Sequence, residues 1–339
     1  MADTIEVLIT IPLNETLLAT LREVSPRFHI TVQAGRKVED IPSEIWARTE
    51  ILYTERLLPD PQAVPNLKWI QFHFAGIDFA TQAPLLQKQD LMITSLSGAS
   101  ATQVAEHVVM MMLALGRHLP DLMTVQAKGE WPRDRFDRFT PMELYGSTVG
   151  IVGYGSIGRQ IAHLLQTFGV TIVATKRDVM HPQDTGYIKS GQGDPQGDLF
   201  QRLYPIQALP SMLHQCDFIV VTIPLTTSTR NLISGEQLAS VKPTAYLVDI
   251  SRGGIVDHAA LIPALQERRL AGAALDVFPE EPLPPTSPLW HMPNVIISPH
   301  ISGVSLHYNE RAVALFAENL NRYLTGLPLY NRYDTSAGY

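Results

Sequence analysis

The sequence predicts an α/β protein of two domains, a flavodoxin-like unit and a Rossmann dinucleotide-binding domain inserted into it. Three observations carry this. A chain of 339 residues, 45% of them hydrophobic, is long enough for two moderate cores. Short apolar or β-branched runs alternate with amphipathic stretches, as in a parallel sheet covered by helices. A glycine-rich turn, Gly153 to Gly158, falls between a strand and a helical run.

In order, five strands are read in the first hundred residues: Val7–Ile11, Ile30–Val32, Ile51–Tyr53, Lys68–Phe72 and Met92–Ser95. Asn14 can cap a helix that carries Leu17, Leu18 and Leu21 on one face. A long helix is expected over Thr102–Gly116, where Val104, Val108, Met111, Met112 and Leu115 recur at three- and four-residue spacings. Six strands follow: Val149–Val152, Thr171–Thr175, Phe218–Ile223, Tyr246–Ile250, Ala273–Leu275 and Val295–Ser298, an order that suits a doubly wound sheet. Arg177–Pro205, rich in Gly, Pro, Asp and Gln, reads as a surface excursion. A last helix, about Asn309 to Leu324, ends at Gly326 before a polar tail. Because that helix follows all the strands, it is expected to return to the first unit, giving domains of 1–100 plus 301–339 and of 101–300.

A net charge of -7 gives no reason to approach phosphate backbones or anionic lipid, so neither nucleic acid nor membrane is expected as a partner. Cys216, the single cysteine, forms no internal disulfide and excludes a multi-cysteine zinc site; the expectation is no metal and a cytoplasmic location. The opening residues Met1-Ala2-Asp3-Thr4-Ile5-Glu6 have no basic leader segment, and the longest apolar run, Val108 to Leu115, is too short to span a bilayer.

In Gly153-Tyr154-Gly155-Ser156-Ile157-Gly158 the first glycine makes the turn. The second lets backbone approach a pyrophosphate, and the third lets helix and strand pack. Three later segments narrow the reading: Asp249-Ile250-Ser251-Arg252-Gly253-Gly254-Ile255-Val256-Asp257, then Ala274-Leu275-Asp276-Val277-Phe278-Pro279-Glu280-Glu281-Pro282-Leu283, then Ser298-Pro299-His300-Ile301-Ser302-Gly303. With the glycine turn, and in this order, they closely resemble the D-isomer-specific 2-hydroxyacid dehydrogenases. The likeness extends over nearly the whole chain, including Phe74-Ala75-Gly76-Ile77-Asp78 and Glu318-Asn319-Leu320.

The resemblance implies hydride transfer between NAD(P)H and the C2 position of a small 2-keto or D-2-hydroxy acid, with Arg252, Glu281 and His300 as the catalytic triad. A guanidinium can hold the substrate carboxylate and polarise the adjacent carbonyl. A histidine can protonate the developing alkoxide, and a neighbouring carboxylate fixes which ring nitrogen carries the proton. Glu280 is the alternative register for the acid. Substrate contacts are implied for Ala75, Gly76, Arg252 and His300. Cofactor contacts are implied for the six residues Gly153 to Gly158 and for Thr222, Pro224, Ile250, Asp276 and Gly303, with Asp276 meeting the nicotinamide carboxamide. Asp249 stands where the family often has Asn, and the 177–205 excursion is longer than most relatives carry.

Lys176 and Arg177 stand where an NAD-specific acid would end the second strand, so NADP is expected as the preferred cofactor, with NAD possible through Asp178. The long helix, with methionines at 110, 111 and 112, is broader in its apolar face than one stripe, and a homodimer is expected through it. Trp131 falls where some relatives reach across a dimer. Within the enzyme class glyoxylate/hydroxypyruvate reduction is the first expectation and phosphoglycerate oxidation an alternative. The formate dehydrogenases of the superfamily have glutamine where Glu281 stands. A cofactor-sensing, corepressor-like role is the reading from another class.

Overall fold

The computed structural model describes residues 4–334. Met1 to Asp3, read above for a leader, and the end of the tail, 335–339, lie outside the described residues. Two compact units are present, one running up to Ser100 and resuming at Ser305, the other running Ala101–Val304.

In the first unit β1 (Ile5–Ile9), β2 (Phe28–Val32), β3 (Ile51–Thr54), β4 (Trp69–Phe72) and β5 (Met92–Thr94) form a parallel sheet in the order β2-β1-β3-β4-β5, the flavodoxin-like order. Asn14 caps α1 (Glu15–Val24) by accepting from Leu17 N at 3.0 Å, and Leu17, Leu18 and Leu21 are buried. A short α2 (Ser43–Arg48) buries Trp46. The chain's last helix, Tyr308–Thr325, belongs to this unit: its Val313, Phe316 and Leu320 share a core with α1 and β1, and Phe316 stacks on Tyr53 at 4.5 Å. It ends at Gly326, whose φ of 70° lies in the left-handed region.

The second unit opens with α3 (Ala101–Gly116), α4 (Leu119–Lys128) and α5 (Arg135–Arg138). Its sheet is parallel and has seven strands: β6 (Thr148–Val152), β7 (Thr171–Thr175), β8 (Arg202–Tyr204), β9 (Phe218–Val221), β10 (Tyr246–Asp249), β11 (Gly272–Leu275) and β12 (Val295–Ile297). The order β12-β11-β10-β9-β6-β7-β8 is doubly wound about the β9/β6 junction. Helices α6 (Ser156–Leu165), α7 (Leu209–Leu213), α8 (Gly235–Ala239) and α9 (His258–Gln266) connect the strands, which makes Tyr308–Thr325 α10.

The count of six strands therefore needs correction. The missing one, β8, lies at the sheet edge, opens on exposed Arg202 and closes a polar stretch, so no apolar run marks it. The excursion that contains it is also more than surface. Asp194 is 2% exposed, its side chain accepts from the amides of Gly197, Asp198 and Leu199, and Tyr154 donates to it at 2.7 Å. Arg159, 1% exposed on α6, reaches the carbonyls of Asp194 and Pro182 and lies 3.4 Å from Asp184. A buried guanidinium needs several acceptors, and this loop supplies them.

On α3 the three methionines divide: Met111 and Met112 are buried, while Met110 is 51% exposed. Among the described residues no single helix is long and apolar enough to cross a membrane, and no group of three or more His, Cys, Asp or Glu could hold a metal.

Candidate active site

Every candidate residue of the second unit lies in a segment that leaves the carboxyl end of a strand, the edge where open α/β sheets bind ligands. The glycine turn follows β6. Gly153 has φ 107°, and a Cβ on Gly158 would stand 2.4 Å from the Gly153 carbonyl oxygen, so the turn and the start of α6 can meet only through glycine. Around Gly155 the space where a Cβ would project is open, with the first amides of α6 beyond it. A pyrophosphate fits such a cradle by backbone N–H groups and the helix N-terminus.

Some carried-over cofactor residues have other work. Thr222 follows β9 and donates its hydroxyl to the Gly153 carbonyl at 2.7 Å, fixing the turn. The Tyr154 side chain is 2% exposed and turned to Asp194, and its backbone N–H donates to the Thr175 carbonyl at 2.8 Å, so neither of its donors faces a ligand. The Pro224 carbonyl accepts from Thr229 Oγ1 at 2.7 Å, and Ile250 is buried behind β10. At the end of β7, Lys176 donates to the carbonyls of His181 and Gln183, and burial lowers its pKa from the usual lysine value. Arg177 is exposed beside it. Asp178 turns into its own loop, accepting from Met180 N at 3.0 Å and meeting His181 Nδ1 at 2.6 Å; that histidine bond holds its pKa below the ordinary range.

Arg252 follows β10 in a turn closed by Ile255 N on the Arg252 carbonyl, and its Nη1 donates to the Ser251 carbonyl at 2.8 Å. The next residue decides what this turn can touch. A Cβ on Gly253 would lie 1.8 Å from the Phe278 carbonyl oxygen and 2.7 Å from Pro279 N. The arginine turn is thus packed directly on the turn that carries Glu281. There Glu281 Oε1 accepts from Phe278 N at 3.0 Å and Oε2 lies 2.8 Å from His300 Nδ1. The acid paired with the histidine is Glu281 and not Glu280. Since a carboxylate only accepts, Nδ1 carries the proton and Nε2 is left without a protein partner among the described residues.

Asp276 is 1% exposed, with both oxygens in use. Oδ1 accepts from Ser298 Oγ at 2.6 Å and from Ile301 N at 3.0 Å, and Oδ2 accepts from Ser302 N at 3.0 Å. It braces the turn of His300, a role the sequence reading did not assign. Gly303 ends that turn with open space at its Cβ position. Gln103 and His107 on α3 also touch this segment and were not singled out. Two polar residues four apart on one face of a largely apolar helix were the signal available for them. In the other unit, Ala75 and Gly76 lie in the loop after β4, the first exposed and the second half-buried.

A Rossmann-type sheet with a phosphate-receiving turn, and a histidine–carboxylate pair beside an arginine turn, define a nicotinamide-dependent oxidoreductase. The chain belongs to the D-isomer specific 2-hydroxyacid dehydrogenases: residues 109–302 match the family's NAD binding domain. It is an NAD(P)-dependent enzyme of that family, moving a hydride between the cofactor and a 2-keto or 2-hydroxy acid. It is 35% identical over 265 residues to a glyoxylate reductase of Thermofilum pendens, covering 78% of this chain and 74% of the relative. It is 31% identical to a D-3-phosphoglycerate dehydrogenase of Synechocystis, covering 95% of this chain but only 55% of that longer protein. Among solved structures, a D-isomer specific 2-hydroxyacid dehydrogenase of Xanthobacter autotrophicus Py2 in complex with NADPH and MES matches with a TM-score of 0.79 and 25% identity over the full length of both chains.

Proposed function

We propose that this chain reduces small 2-keto acids, glyoxylate and hydroxypyruvate foremost, with NADPH. The observation that carries the chemistry is the 2.8 Å pair of His300 and Glu281 beside the Arg252 turn. A nicotinamide cofactor supplies the hydride when bound. Arg252 holds the substrate carboxylate and draws electron density from the C2 carbonyl. As an imidazolium, His300 donates through Nδ1 to Glu281 and through Nε2 to the substrate oxygen, so the proton arrives as negative charge develops there. Glu281 keeps the ring in the orientation that points Nε2 outward. In this reading the 1–100 plus 301–339 domain binds substrate through the Ala75–Gly76 amides, and the 101–300 domain binds cofactor.

The glyoxylate reductase name of the Thermofilum pendens relative supports the choice of substrate. For NADPH the support is Asp178, the one acid near the end of β7 that could serve a ribose hydroxyl, which is spent on Met180 and His181. Arg177 is exposed at this strand end, and Lys176, whose ammonium donates to the His181 and Gln183 carbonyls, adds a second positive charge beside it to draw a 2′-phosphate. A charged hydrogen bond is worth about 1.5–3 kcal/mol, or about ten- to a hundredfold in affinity. The relative solved with NADPH agrees.

The exposed apolar residues Met110, Leu119, Met123, Trp131 and Phe136 support a homodimer through the α3–α5 region. A lone buried Cys216 supports a cytoplasmic setting.

The test is a panel of glyoxylate, hydroxypyruvate, pyruvate and 3-phosphohydroxypyruvate assayed with NADPH and with NADH. Highest kcat/KM on the first two with NADPH supports the reading. Preference for the phosphorylated acid makes the chain a phosphoglycerate dehydrogenase, and no turnover of any acid despite NADPH binding leaves the sensor role. A cofactor preference unchanged in Lys176→Ala/Arg177→Ala would remove these cations from phosphate recognition.

A further inference from the structure

His300 occupies an unusual backbone state. Its φ is +54°, in the left-handed region that a non-glycine residue holds only when its surroundings over-determine it. The segment Ser298–Gly303 that carries it is gripped from below by Asp276, through Ser298 Oγ and the amides of Ile301 and Ser302. It is also gripped from the side by α3. Gln103 Nε2 donates to the Gly303 carbonyl at 3.0 Å, and His107 Nε2 lies 3.2 Å from Ser298 Oγ. Positions 103 and 107 are four apart and share one helix face, so a single turn of α3 holds both ends of the catalytic segment.

The direction of each bond can be assigned. The Ser298 hydroxyl has one proton, and it goes to the carboxylate of Asp276 at 2.6 Å. His107 must then donate to Ser298 through Nε2–H. Burial lowers the His107 pKa from the ordinary histidine value, which keeps a neutral ring with its proton available for that bond. Nothing in this chain of bonds touches a reacting atom.

We infer that Gln103 and His107 are positioning residues for His300, acting through Gly303 and through Ser298 and Asp276 to hold the imidazole where a proton can be delivered. The inference rests on the reading of His300 as proton donor. Losing either grip lets the left-handed backbone relax, and a donor displaced by a fraction of an ångström transfers its proton less effectively.

The experiment uses the full chain with glyoxylate and NADPH. His107→Phe keeps a ring of similar size without the donor, His107→Gln keeps an N–H, and Gln103→Met keeps length without the amide. His107→Phe and Gln103→Met are each expected to lower kcat about tenfold with KM for NADPH within about twofold of wild type, and His107→Gln to recover most of the loss. In a His300→Ala background Gln103→Met should cost nothing more, because its target is gone. Should His107→Phe fail to fold, Gln103→Met and its combination with His300→Ala carry the test alone. If His300→Ala loses activity while both α3 variants keep wild-type kcat, or if Gln103→Met costs as much without His300 as with it, the positioning role is overturned. If His300→Ala itself keeps wild-type kcat, the reading of His300 fails instead.

Discussion

Gly253→Ala is a one-methyl test of the way the arginine turn meets the acid turn. The new Cβ would sit 1.8 Å from the Phe278 carbonyl oxygen and 2.2 Å from its carbon, both of them backbone atoms that cannot rotate away. Carbon and oxygen rest at about 3.3 Å, so the two turns must part by about 1.5 Å. Arg252 adjoins one face of that seam and Glu281 closes the other through Phe278 N. A misplacement of about 1 Å can cost about a hundredfold in rate, and overpacking costs about 1–3 kcal/mol of stability. The expected result is a kcat on glyoxylate at least about a hundredfold down, measured by NADPH oxidation at saturating cofactor, with NADPH affinity by fluorescence titration nearly unchanged. Gly235→Ala is the control: it opens α8, and its nearest neighbour would be Ala260 Cβ at an ordinary 3.7 Å. If Gly253→Ala keeps kcat within twofold of wild type, the contact between the turns does not set the geometry of catalysis.

His300→Ala is expected to lower kcat about 10²–10⁴-fold in the same assay with cofactor affinity retained, whereas Arg252→Ala should raise KM for the keto acid as well. Buried Asp249 has its pKa raised by desolvation from 3.8 to about 7. The folded state therefore holds that proton more tightly than the unfolded chain, and stability should fall as pH rises from about 4 to about 7, by up to about 1.4 kcal/mol per pH unit. Thermal melts across that window should show a flatter profile for Asp249→Asn, and an identical profile would clear Asp249 of the effect. Arg159→Met strands Asp194 and Asp184 without their cation and should cost about 3–5 kcal/mol in denaturant unfolding. Light scattering at micromolar concentration should give a mass near twice 37.6 kDa, and a monomer mass would refute the dimer.

Long-period patterns were the most legible part of this sequence. Strands such as Thr171–Thr175 and helices such as α3 and α10 declare themselves through apolar spacing, and Asn14 and Gly326 mark helix ends because caps have strict chemistry. The histidine–glutamate pair was read from a resemblance, since residues 19 apart with no periodic relation carry no local signal of contact. Strand β8 escaped because its three residues open on a charged, exposed arginine and close a polar stretch, so no apolar run marks it as it marks Ile30–Val32 or Ala273–Leu275. The excursion was misread for a related reason: its burial depends on Arg159, far off in sequence, and a polar composition looks the same whether its acceptors face water or a guanidinium. Asp276 illustrates the other limit, for a motif names a residue without saying how many of its lone pairs are already committed.

The pinning of the excursion has a bearing on how this protein could be altered. Tyr154, Arg159 and Gln160, all within the glycine turn and the helix it opens, end their polar groups on residues between Pro182 and Gly193 or on Asp194. A shorter loop transplanted from a relative would leave a tyrosine hydroxyl, a guanidinium and an amide facing nothing. The loop and the helix opened by the glycine turn are therefore one exchangeable module, and a graft that hopes to change cofactor choice has to carry the loop together with Tyr154, Arg159 and Gln160, or replace those three with residues that ask for no partner.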